Sequence, residues 1–180
     1  LAAGGVSLYH EVELSSPIKT EEQRERHSRW MHALLGFSLA PSLLLFPTVV
    51  PQASIITLAL TLGPVTAAHS MQEGVMLKLG PALHTCMWGI VGASVTSLLA
   101  PVVGFTHLAS MSHDITLYGG LALFSVYNAY DFHRMVEDYK AGCMDRVGHA
   151  ANFSLNMINI FLRVLEILAS NEQRAPGKKG

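Results

Sequence analysis

The chain has 180 residues, half of them apolar and only 14% charged, with a formal net charge of −1. Ordinary soluble domains carry roughly 25% charged residues, so this composition lacks the polar surface of a water-soluble globule and points to a membrane protein. Twelve basic against thirteen acidic residues supply no cationic field for a phosphate backbone, which argues against a nucleic-acid partner.

The chain opens on Leu1 rather than Met, as expected of a processed product or of a piece of a longer one. Residues 1–28 form a polar head. Its acids, among them Glu11, Glu13, Glu22 and Glu25, do not suit a mitochondrial targeting peptide, so any import signal is expected to be gone already. Ser16-Pro17 is expected to supply a cap and first turn, and the mixed charges from Lys19 to Arg29 an interfacial or partner-docked helix leading to Trp30 at the headgroup level. Residues 171–180 form a polar tail, and both ends are expected to dock on neighbouring chains.

Between them, residues 29–170 read as a transmembrane helical bundle. No Asp, Glu, Lys or Arg occurs from Trp30 to Gln72, a run long enough for two crossings. Pro47 and Pro51 break it near the middle, giving spans at 30–46 and 54–70, with Pro41 and Pro64 tolerated inside them. A third span is expected at 81–100, with Pro81 in its first turn and Pro101 at its end. After a loop come a fourth at 115–134, a polar connector, and a fifth at 150–169. The fold class is therefore all-α, a polytopic membrane bundle of about five transmembrane helices. The distribution of Lys and Arg among the loops places the amino terminus on the cytoplasm-equivalent side.

The polar residues within the spans carry the chemistry. In the fifth, Asn152, Asn156, Asn159, Arg163 and Glu166 follow steps of four, three, four and three, which sets all five on one helical stripe. Amides and ions cannot face lipid cheaply, so this stripe is expected to face protein or water, with Arg163 and Glu166 paired at three-residue spacing. In the fourth span Asn128 and Asp131 share a face. An intramembrane carboxylate is a functional-site candidate by default, and the alternative is that Asp131 sits at the interface, paired with Arg134 or capping a neighbouring helix. The nine histidines form no HExxH or comparable ligand set, and Cys86 and Cys143 form no zinc spacing. His32 is read as a hydrogen-bonded packing residue. No phosphate loop, nucleophile elbow or triad is present, so no metal, no cofactor and no enzymatic activity is expected.

Three segments resemble the carboxy-terminal half of the transmembrane Bax-inhibitor-motif family, and its mitochondrial inner-membrane branch most of all. They are Leu117-Tyr118-Gly119-Gly120-Leu121-Ala122-Leu123-Phe124-Ser125, Tyr130-Asp131, and Asn159-Ile160-Phe161-Leu162-Arg163. Leu99-Ala100-Pro101 and the stretch from His32 to Pro41 fit the same likeness, which covers residues 27–172. The resemblance implies a seven- or eight-helix bundle around a central last helix, associated with calcium leak or calcium/proton exchange. It also implies a pH sensor made of two aspartates that share a proton. Asp131 stands at the first of these positions and Asn156 at the second. An amide cannot titrate, so the shared-proton switch is expected to be absent, and the family's first two or three helices have no counterpart ahead of Trp30.

The expected role is that of a non-catalytic accessory subunit of a large mitochondrial inner-membrane complex, associated with the respiratory chain or ATP synthase and contacting the lipid bilayer and other membrane subunits. The alternative is a calcium/proton channel or exchanger that uses Asp131.

Overall fold

Thr20 starts the first helix by a reciprocal cap: its hydroxyl accepts from the Gln23 N–H, and the Gln23 side chain accepts from the Thr20 N–H. The computed structural model describes residues 20–72, 74–143 and 145–174, so Ser16-Pro17 and most of the polar tail lie outside it. Helix α1 then runs over Glu21–Leu45 without interruption at residue 29, because the cap at Thr20 commits the charged stretch to the same helix as the apolar one. Pro47 lies in the turn that follows, and Pro51 sits in the first turn of α2, Val50–His69. Here proline costs no hydrogen bond.

A short 3-10 turn, Met76–Leu79, leads into α3, Gly80–Leu99, with Pro81 in its first turn as expected. A second 3-10 turn, Ala100–Val103, ends at Gly104, whose φ of 86° reverses the chain. The segment expected to be a loop is instead helical. Helix α4, Thr106–Asp114, continues through a π-helical turn, Ile115–Gly119, into α5, Gly120–Lys140. No proline interrupts residues 106–140, and Gly119-Gly120 is absorbed into the helix. Asp145 then caps α6, Arg146–Arg174, by accepting the Gly148 N–H at 2.9 Å. Both the fourth and the fifth spans are thus longer than their apolar runs.

With α4, the π turn and α5 taken as one rod, the described residues form five helical rods and no strand. Three segments, Val50–His69, Met76–Val103 and Arg146–Arg174, are long and apolar enough to cross a bilayer by length and composition. Contacts at both ends fix the directions. Arg24 meets Asp145 and Thr48 meets Glu172, so α1 runs parallel to α6. Helix α5 runs antiparallel to α6, since Asp131 meets Asn156 while Arg163 lies against Gly120.

Helix α6 is the hub. Its Ile160, Val164 and Leu165 join Val49, Ala53 and Phe124 in the main apolar core, and its Ala151 and Leu155 pack on Met31 and Leu35 of α1. Leu83 and Ile90 of α3 pack on Leu123 and Tyr127 of α5. Outward residues such as Phe37, Leu44, Ile55, Trp88 and Leu98 are exposed and give the bundle an apolar exterior.

Candidate functional site

The stripe read from the α6 sequence lines one cavity of about 790 Å³. Asn152, Asn156, Asn159, Arg163 and Glu166 all face it from α6, and Asp131 and Arg134 face it from α5. Spacing alone did not reveal the rest of the wall, His84 on α3 and His113 and Thr116 on the rod that leads into α5. Those residues reach the site through tertiary packing, and their own segments carry no comparable polar stripe.

At the inner part of the wall, Asn156 Nδ2 donates to Asp131 Oδ2 at 2.6 Å, and both residues are buried. Arg134, whose pairing with Asp131 is the alternative reading, lies 3.8 Å from Asp138, one turn further along α5. Asn159 Nδ2 donates to the Leu155 carbonyl, and its Oδ1 accepts from Arg163 Nη1 at 3.2 Å. Arg163 also donates through Nη1 to the Asn159 carbonyl and through Nε to the Thr116 carbonyl, each at 3.1 Å. Its guanidinium lies 4.8 Å from the centre of the Phe124 ring.

The expected pairing of Arg163 with Glu166 is replaced by a different arrangement. Arg163 turns inward, where the π turn presents Thr116 and where Gly120 leaves room for the guanidinium. Glu166 stays half-exposed and meets His113 Nε2 at 3.3 Å. The three-residue spacing places the two charges near each other, but the inner carbonyls hold the arginine.

At the end of the bundle where α1 starts, Arg24, Asp138, Asp145 and His149 tie α1 to the α5–α6 turn. Partial burial would raise the Asp145 carboxyl. Hydrogen bonds from Arg24 and the Gly148 N–H, together with the charges of Arg24 and His149, outweigh it and hold the group below the ordinary 3.8. Among the described residues no group of three His, Cys, Asp or Glu side chains is placed to hold a metal ion. His32 Nδ1–H donates within its own helix to the Ser28 carbonyl at 2.7 Å.

A polar stripe on a central last helix, contacted by an aspartate on the helix before it, is the arrangement that the sequence resemblance implied. The profile of the family described as "Inhibitor of apoptosis-promoting Bax1" matches residues 30–173. The chain belongs to this Bax-inhibitor family. It is 25% identical over 157 residues to the growth hormone-inducible transmembrane protein of Rattus norvegicus, which covers 83% of this chain and 45% of that protein. The chain thus spans a little under half the length of this relative. No solved structure matches it significantly. Within the Bax-inhibitor frame, the two positions assigned by resemblance to the paired aspartates, Asp131 and Asn156, are in direct hydrogen-bonded contact.

Proposed function

We propose that this Bax-inhibitor-family protein is a non-catalytic, membrane-embedded accessory subunit of a multi-subunit complex of the mitochondrial inner membrane, associated with the respiratory chain or ATP synthase. The carrying observation is the bond from Asn156 Nδ2 to Asp131 Oδ2. Two carboxylates at that distance could share a proton and change state with pH. An amide donating to a carboxylate instead forms a fixed strut between α5 and α6. The Arg163 contacts to Thr116 and Asn159 brace the same two elements a turn or two away. The mitochondrial placement rests on the resemblance of segments 117–125, 130–131 and 159–163 to the mitochondrial branch of the family.

A second reading, a calcium or proton pathway through Asp131, is favoured by one observation. The roughly 790 Å³ cavity brings Asp131, Arg134, Arg163 and Glu166 to a common space, and intramembrane charges commonly mark ion routes. Native electrophoresis of membranes solubilised in a mild detergent separates the two readings. On the accessory reading the chain migrates with a large assembly and brings down its subunits; migration alone, or with a single companion, favours the pathway.

A further inference from the structure

We propose that Asn128 and Thr61 hold a buried water at the junction of α2, α5 and α6. Asn128 has 0% exposure and Thr61 has 2%. The Asn128 amide nitrogen, its carbonyl oxygen and the Thr61 hydroxyl are all buried without a hydrogen-bond partner among the described residues. Buried polar groups are nearly always satisfied, and lipid offers no partner to a group inside a membrane bundle.

The packing sets the two residues within about one helical turn of each other along the two axes. Helices α2 and α5 run parallel, with Ala53 in one apolar cluster with Phe124, and with His133 Nε2 donating to the Ala68 carbonyl at 2.6 Å. Counting back from that shared contact at about 1.5 Å per residue, Thr61 lies roughly 10 Å from Ala68 and Asn128 roughly 7 Å from His133. Thr61 belongs to the buried stripe of α2 that also holds Ala53, Thr57 and Ala68. Asn128 lies on the face of α5 that carries Phe124 and Asp131. Thr57 does not share the deficit, because its hydroxyl donates to the Ala53 carbonyl.

The open groups define the ligand. They combine an N–H donor, a carbonyl acceptor and a hydroxyl, all uncharged. Neither open side chain supplies a charge to offset the cost of burying an ion, whereas water both donates and accepts. A water that accepts the Thr61 proton and donates to Asn128 Oδ1 satisfies two of the three groups and hydrates the amide that carries the third. Internal waters typically make about three such bonds. This site is separate from the cavity beside α6 and joins α2 to α5 in one register, independently of the accessory role.

The test is water-to-amide cross-relaxation by NMR on the full chain in micelles, with Asn152, which faces the open cavity, as the positive control. A water cross-peak to the Asn128 side-chain amide is expected in the parent, retained in Thr61→Ser and lost in Thr61→Val. Its absence from the parent when the Asn152 signal is present, or its persistence in Thr61→Val, would overturn the site. A stability cycle with Asn128→Leu and Thr61→Val gives a second readout. A shared water makes the double variant's loss smaller than the sum of the single losses, and additive losses would overturn it.

Discussion

Gly120→Ala is expected to destabilise the bundle even though alanine is the better helix former. Gly120 has ordinary helical backbone angles, φ −65° and ψ −39°, so the demand for glycine there is one of space. A Cβ at this position would lie 2.8 Å from Arg163 Cζ and 2.7 Å from Nη2, well inside contact distance. The guanidinium must withdraw, and the first bond lost is Nε to the Thr116 carbonyl. A hydrogen bond from a charged donor contributes about 1.5–3 kcal/mol, against a helix-propensity gain of about 1 kcal/mol for replacing glycine. The net loss is then about 0.5–2 kcal/mol. Gly89→Ala is the control, since a Cβ there meets nothing within 4 Å and only the propensity gain remains. Unfolding in mixed micelles, followed by far-UV circular dichroism, should therefore move the two variants in opposite directions from the parent. In an Arg163→Met background the Gly120→Ala penalty should shrink. A Gly120→Ala variant as stable as Gly89→Ala would refute the role assigned to Arg163.

The contact between Arg24 and Asp145 gives an acid-dependent expectation. The folded Asp145 carboxyl is held below its ordinary value, so its stabilising contribution is complete above about pH 4 and is lost as pH falls through the depressed folded value. Asp145→Asn should be less stable than the parent at neutral pH, by less than about 1 kcal/mol because water screens the pair, and the two acid-unfolding curves should converge below pH 4. His133→Phe removes the donor to the Ala68 carbonyl at the end of α2; that carbonyl keeps its bond from the Met71 N–H, so the cost is that of one lost hydrogen bond, about 0.5–1.5 kcal/mol. The exposed control His107→Phe should change stability by less than about 0.5 kcal/mol, and equal effects at the two sites would contradict the contact.

Much of the bundle was legible because its signals are local. Uncharged runs bounded by Pro47, Pro51, Pro81 and Pro101 set the first three helices, and steps of three and four put Asn152 through Glu166 on one wall. The rod from Thr106 to Lys140 was less legible. The sequence places a span at 115–134 with Gly119-Gly120 inside it, but residues 106–114 read as a loop although they form the helical lead-in to it. The side-chain partners were not legible at all. Arg163 could reach Glu166 by spacing, but the Thr116 carbonyl lies 47 residues away in sequence, and only packing decides between them. Asn128 was visible as a polar residue sharing a face with Asp131, but its lack of a partner among the described residues emerges only from the packed structure.

The proposed loss of the proton latch is tested most directly by calcium flux into vesicles that contain the purified protein, measured across a pH step. The parent should give no flux above protein-free vesicles between pH 6 and pH 8. Asn156→Asp, which restores a second carboxylate opposite Asp131, should be the variant in which any acid response appears. A pH-dependent flux through the parent that disappears in Asp131→Asn would contradict the accessory role.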